Sequence, residues 1–113
     1  MSRDYRLYLD DILESCRKIR QFTDGMSFME FEHDVKTQDA VMRNFEIIGE
    51  AVNHLPDEIK SLYHDVELAK IVGFRNILAH GYFAIELKTV WSAIEEGLRA
   101  LEQQTKAVLG EDA

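Results

Sequence analysis

The chain has 113 residues, a length typical of one domain, and 46% of them are hydrophobic, enough to form a core. The formal net charge of −8 argues against broad, non-specific binding to nucleic acid, which needs clustered Lys and Arg. The negative charge does not exclude a small local site for nucleic acid, and it favours binding to a basic partner. No segment reaches the roughly 18 uncharged apolar residues of a membrane helix, and we expect no signal peptide.

The single cysteine and the spacing of apolar residues indicate the cellular compartment and the first two helices. The single cysteine, Cys16, cannot form an internal disulfide, so we expect a reducing cytoplasm. Helical spacing of apolar residues predicts a first helix over about residues 4–23, with Cys16 as a small buried hydrophobe on its apolar stripe. Ser27 and Glu30 have the spacing of a capping box, which predicts a short helix from Phe28 to about His33.

The next helix is predicted to be capped by Thr37 or a near neighbour, with Asp39 in its first turn. Pro56 is expected to mark its end. One side of this helix is apolar throughout and is predicted to be buried. That apolar stripe consists of Val41, Phe45, Ile48, Val52 and Leu55.

The opposite side of the same helix carries a polar patch of Arg43, Glu46 and Glu50. Two like charges one turn apart, with an arginine beside them, form either a solvated surface or a surface that meets a partner or a second copy. His54 and His64 flank a short helical turn that follows, without the spacing of a helical metal pair. We therefore expect no metal site and interpret both histidines as chance occurrences.

Apolar residues at helical spacing predict two more long helices in the second half of the chain, over about residues 66–79 and 86–109. Trp91, in the last helix, is expected to anchor the core. Short links between the long helices predict an all-α fold, an antiparallel up-and-down four-helix bundle with one or two additional short helices. We treat residues 1–113 as a single domain. The stripe of the last helix consists of Leu87, Val90, Trp91, Ile94, Leu98, Leu101 and Val108.

Arg75 breaks the pattern of its own helix. At about 100° per residue it falls in the middle of an apolar stripe, where a guanidinium is unfavourable unless it is paired. Such breaks in a local rule often mark function. Gly81 follows His80 and is typical of a helix end. The stripe around Arg75 consists of Leu68, Ile71, Leu78 and Ala79.

Arginine and histidine together suit RNA cleavage. The guanidinium of Arg75 can stabilise charge on a pentacovalent phosphate, and the imidazole of His80 can transfer a proton to or from a ribose hydroxyl. Asn76 can orient the imidazole or bind phosphate. On a straight helix Arg75 and His80 lie about 140° apart, so either the helix end bends or two copies build the site. Tyr82 is expected to project its hydroxyl into the same cleft, with a core tyrosine as the alternative.

The residues around Arg75 resemble the motif of a known family. The spacing of Arg75, His80 and Tyr82 matches the R-x4-H-x-Y motif of the HEPN superfamily, including the asparagine that often follows the arginine. The segment from Thr37 to Ala51 is similar to the second signature of its HepT branch, whose members are toxins of bacterial and archaeal toxin–antitoxin pairs. The resemblance extends over nearly the whole chain.

The resemblance implies a helical bundle that forms a homodimer, with the motifs lining a shared cleft. It implies metal-independent RNase activity from Arg75 and His80, without a cofactor. It also implies a partner, a minimal nucleotidyltransferase antitoxin that transfers AMP from ATP to the motif tyrosine, Tyr82. No membrane association is implied.

An alternative of another class stays open. The protein would then be a non-catalytic subunit that binds a nucleotidyltransferase or a nucleotide. Arg75 would be a structural residue of the dimer, paired with a carboxylate such as Glu46 or Glu50. The acidic charge of the chain fits this alternative better than it fits an RNase.

Overall fold

Helices make up almost all of the chain that the structure describes. The computed structural model describes residues 4–64, 66–80 and 86–112, except the side chains of residues 80, 111 and 112. No strand occurs in these ranges, and the predicted all-α bundle is confirmed. The helices are α1 (Tyr5–Thr23), α2 (Phe28–Glu32), α3 (Val35–Asn53), α4 (Asp57–Lys60), α5 (Leu68–His80), α6 (Leu87–Ser92) and α7 (Leu98–Asp112), with a π-helical segment (Ala93–Gly97) between α6 and α7.

Local capping explains where the first two helices begin. The side chain of Asp4 accepts a hydrogen bond from the backbone N–H of Arg6 at 2.9 Å and so caps α1. The predicted capping box of α2 is confirmed: the backbone N–H of Glu30 donates to the Ser27 hydroxyl at 3.2 Å, and Ser27 N–H donates to the Glu30 carboxylate at 3.0 Å. Gly25, with φ 71°, supplies the left-handed conformation that joins α1 to α2.

The cap of α3, predicted at Thr37 or a near neighbour, lies three positions before Thr37. Asp34 is the cap, and its carboxylate accepts from the backbone N–H of Thr37 at 3.0 Å and from the Thr37 hydroxyl at 2.7 Å. The helix therefore begins at Val35, so that Asp39 lies beyond the first turn. An ionised carboxylate is a stronger acceptor than a hydroxyl, which explains why Asp34 takes the position. The hydrogen bonds from the backbone N–H and the hydroxyl of Thr37 lower the pKa of Asp34 below its usual value.

The sequence predicts one continuous last helix, but the structure interrupts it with the π-helical segment Ala93–Gly97. Such a segment shifts the phase of the side chains that follow it. Before it, Trp91 packs against Phe31 and Phe28, with ring centroids 5.2 Å and 6.2 Å away, as expected of a core anchor. After it, Leu98, Leu101 and Val108 are buried on the inner side of α7.

Helix α3 lies at the centre of the packing, between α1 on one side and α5 on the other, and α1 also packs on α7. The predicted apolar stripe of α3 is fully buried. An ion pair between Arg20 and Glu102, 2.7 Å apart, ties α1 to α7. None of the helices within the described ranges has the length and apolar character needed to cross a membrane. The grouping of α1, α3 and α5 creates the cleft described next.

Candidate active site

A cleft of about 280 Å³ opens between α1, α3 and α5. It brings Arg75 of α5 together with the polar patch of Arg43, Glu46 and Glu50 on α3. The sequence had placed these residues on two different helices, and only the alternative of a non-catalytic dimer subunit paired Arg75 with Glu46 or Glu50. The residues that line the cleft are Tyr8, Asp11, Arg43, Glu46, Ile47, Glu50, Ala51, His54 and Arg75.

Arg75 reaches the cleft because its stem lies directly against Gly49. A Cβ placed on Gly49 would lie 2.2 Å from Cβ and 2.7 Å from Cγ of Arg75, far inside ordinary carbon–carbon contact. The guanidinium lies beyond this crossing, with its side chain 33% exposed. Nη2 of Arg75 lies 2.8 Å from Oε2 of Glu50, and Nη1 donates to Oδ1 of Asn76 at 3.0 Å. The guanidinium is therefore paired.

The stripe assigned to α5 needs one correction. Leu78 is buried and Ile71 packs against the core, as predicted, but Ala79 is exposed. The side of α5 that packs on α3 runs through Ile71, Phe74 and Leu78, with Arg75 at its edge. Within the described ranges α5 packs chiefly against α3, so a narrower part of its surface is covered there than the apolar pattern indicated.

Asn76 contacts the arginine of the motif. Its side-chain oxygen accepts from Arg75, so it helps fix the orientation of the guanidinium. Arg43 and Glu46 face each other more loosely, with Nη1 and Oε2 3.9 Å apart. Such a pair on an accessible surface contributes little to stability. Within the polar patch, Glu50 is the residue that contacts Arg75.

His54, interpreted from the sequence as a chance histidine, lies in the cleft. Its ring stacks on Tyr8, with centroids 5.1 Å apart and an interplanar angle of 17°. Nδ1 lies 2.8 Å from the backbone oxygen of Glu50, and because a carbonyl only accepts, Nδ1 carries a proton and donates it. Nδ1 is also 3.6 Å from Oε1 of Glu50. The spacing of Glu50 and His54 by one helical turn was the signal available in the sequence.

The remaining motif residues lie at the end of α5. The helix continues without a break through His80, its last residue. The side chain of His80 and all of Tyr82 lie outside the described part of the chain, so the structure does not test their predicted roles. Arg75 and His80 nevertheless occupy positions about 140° apart around a regular helix.

The ionisable groups of the cleft do not favour a polyanion by charge alone. Two arginines, Arg43 and Arg75, face three carboxylates, those of Asp11, Glu46 and Glu50. Any phosphate bound here must rely on a local contact with one guanidinium rather than on a positive surface. In the described ranges, no group of three or more His, Cys, Asp or Glu residues is arranged to hold a metal ion.

Comparison with known proteins identifies the family. The ribonuclease HepT-like family matches residues 12–108. A protein of Methanocaldococcus jannaschii named as a candidate RNase is 38% identical over 97% of this chain and 94% of its own length. A Thermococcus cleftensis protein named probable ribonuclease HepT is 35% identical over 90% of this chain and 93% of its own. No solved structure gives a significant match. The chain belongs to the HepT-like ribonuclease family.

Proposed function

We propose that the protein is a cytoplasmic toxin ribonuclease that cleaves RNA with Arg75 and His80, without a metal ion, in a cleft shared by two copies. A nucleotidyltransferase antitoxin neutralises it by attaching AMP to Tyr82. One observation carries the proposal: in a chain of a ribonuclease family, the guanidinium of Arg75 is presented in a cleft, five positions before a histidine on the same helix.

The chemistry uses the ribose 2′-OH as the nucleophile. As the 2′-oxygen bonds to phosphorus, its proton passes to a base, the bond from phosphorus to the 5′-oxygen breaks, and that oxygen takes up a proton. His80 serves in proton transfer because an imidazole exchanges protons near neutral pH. Arg75 donates to the non-bridging oxygens, where negative charge accumulates in the transition state. The product ends are a 2′,3′-cyclic phosphate and a 5′-hydroxyl.

Three features support a site built from two copies. Helix α5 stays regular up to His80, so Arg75 and His80 of one chain occupy different sides of it. The outward side of α5, which the position of His80 shares, carries Ala69, Asn76 and Ile77, all exposed and without charge. Ile77 is 48% exposed. Lys70, about 20° from Ile77 around the helix and 3.1 Å from Glu67, is a charged residue at the edge of this side. A helix side with a large exposed apolar residue is suited to contact with another copy.

AMP on Tyr82 would block the reaction in two ways. Its phosphate would compete for the N–H groups of Arg75 through charge-assisted hydrogen bonds. The added nucleoside would occupy space that the RNA needs. Intact-mass measurement after incubation with the antitoxin and ATP should show AMP on the wild type and none on Tyr82→Phe, which should escape neutralisation. Addition of AMP to the phenylalanine variant would place the modification elsewhere.

Cleavage assays test the catalytic assignment. Loss of a general acid–base residue slows a reaction by about 10²–10⁴-fold, and loss of a charge-stabilising donor by about 10²–10³-fold. His80→Ala and Arg75→Ala should each slow cleavage by these factors. Arg17→Ala is the matched control, because Arg17 bonds to Glu14 and Gln21 on α1, outside the lining of the cleft.

Two further measurements use a modified RNA substrate and a metal chelator. RNA with 2′-O-methyl groups should resist cleavage, since its nucleophile is blocked, whereas EDTA should leave cleavage of ordinary RNA intact. Folded Arg75→Ala and His80→Ala proteins that retain full activity would contradict the catalytic assignment. That result would favour the alternative, a non-catalytic subunit that binds a nucleotide or a nucleotidyltransferase. The Arg75–Glu50 ion pair is compatible with both functions.

A further inference from the structure

The carboxylate of Glu50 lies between the two nitrogen-bearing groups of the cleft. Oε2 is 2.8 Å from Nη2 of Arg75, and Oε1 is 3.6 Å from Nδ1 of His54. Glu50 directly follows Gly49, whose missing side chain lets the stem of Arg75 lie against α3. The ion pair therefore joins α3 to α5 at their point of close approach.

The ion pair occupies a group that RNA would need. A guanidinium binds carboxylate and phosphate with the same planar array of N–H donors, so Glu50 and an RNA phosphate compete for Nη2 of Arg75. Nη1 already donates to Asn76. The side chains of Arg75 and Glu50 are 33% and 48% exposed, and pairs with such access to water are weak. A phosphate can therefore displace the carboxylate.

We propose that Glu50 is a positioning residue and an exchangeable counter-ion for Arg75. It holds the guanidinium in the cleft when RNA is absent and releases Nη2 to the scissile phosphate when RNA binds. The released carboxylate turns toward the ring of His54, one helical turn after Glu50, whose Nδ1 lies 3.6 Å from Oε1. This inference rests on the proposed ribonuclease function, and it assigns to Glu50 the control of access to Arg75.

The two roles of Glu50 respond differently to substitution. Glu50→Gln removes the charge but keeps an oxygen that can accept from Arg75, whereas Glu50→Ala removes both. Glu46→Gln is the matched control. Glu46 lies on the same helix and lines the same cleft, but its contact is with Arg43, at 3.9 Å. A general effect of charge would appear equally in the Gln variants of both residues.

The experiment measures binding and turnover separately. Binding uses RNA of one fixed sequence with 2′-O-methyl groups, which the protein should not cleave, and turnover uses the same RNA unmodified. Glu50→Gln should bind the modified RNA about two- to fivefold more tightly than both the wild type and Glu46→Gln do, the range expected for one accessible ion pair. Its kcat should stay within about threefold of the wild type, whereas Glu50→Ala should lose about tenfold or more because Arg75 is no longer held.

The same substitutions are also made in the Arg75→Ala protein, and thermal melts show which variants are folded. In the Arg75→Ala protein, Glu50→Gln should no longer tighten binding of the modified RNA by more than Glu46→Gln does. Equal tightening by the two Gln variants in the wild-type background would overturn the counter-ion role. Wild-type kcat in folded Glu50→Ala would overturn the positioning role. If the wild type does not bind the modified RNA at all, the proposed function fails as well. If RNA binds but the Glu50 and Glu46 variants agree, this inference alone fails.

Discussion

Gly49→Ala tests how the structure places Arg75. The added Cβ would lie 2.2 Å from Cβ of Arg75 and 3.3 Å from the backbone oxygen of Ile71. Carbon atoms in ordinary contact are about 3.5–4.0 Å apart, so α3 and α5 must separate locally by roughly 1.3 Å or more. Rotation of the Arg75 side chain gives no relief, because the position of its Cβ is fixed by the backbone of α5.

The expected magnitudes come from two opposing effects. Overpacking of this kind costs about 1–3 kcal/mol, and replacing glycine by alanine inside a helix returns about 0.5–1 kcal/mol. We expect a net loss of about 1–2 kcal/mol, which lowers the Tm by roughly 4–8 °C in a domain of this size. A displacement of about 1 Å at a catalytic group slows catalysis by on the order of 100-fold.

Thermal melts and an RNA cleavage assay on the same preparations measure both effects. Gly97→Ala is the matched control, because a Cβ at Gly97 has no heavy atom within 4 Å. That variant should gain about 0.5–1 kcal/mol of stability and keep its activity, since its added Cβ meets no neighbour. A Gly49→Ala protein that melts at or above the wild-type temperature and cleaves RNA at the wild-type rate would refute the close packing of Arg75 on Gly49.

Two further predictions concern the helix cap and the cysteine. Asp34→Ala should lower the Tm at pH 7 while Asp39→Ala should not, since Asp34 caps α3. Because the hydrogen bonds from Thr37 depress the pKa of Asp34, this stabilisation is present at neutral pH and should disappear in melts as the pH falls below about 4. Burial raises the pKa of Cys16 to about 12, so a thiol reagent at pH 8 should label only unfolded protein, and rapid labelling of the native protein would contradict its burial.

Patterns within one helix were predictable from the sequence. The capping box of Ser27 and Glu30 has both partners three residues apart, so spacing alone identifies it. Burial of Val41, Phe45 and Ile48 follows from helical periodicity in the same way. Such local signals require no knowledge of how the helices pack.

Contacts between helices were less predictable, since the sequence named Glu46 or Glu50 as alternative partners of Arg75 without a means of choosing between them. The pairing of Arg75 with Glu50 depends on the missing side chain of Gly49, which has meaning only once α3 and α5 are packed together. The place of His54 in the cleft depends on its stack against Tyr8 of α1. The choice of Asp34 as the cap was local, but spacing alone did not separate it from Thr37, and the carboxylate is the better acceptor.

The central claim, that Arg75 and His80 act across two copies, is tested most directly by mixing inactive chains. Arg75→Ala and His80→Ala chains carrying different tags are combined, and the heterodimers that hold both tags are purified. If the site takes Arg75 from one chain and His80 from the other, each heterodimer holds one intact site and should recover about half of the wild-type cleavage rate. Heterodimers as inactive as their parents, or no heterodimers at all from an active wild type, would contradict the shared cleft.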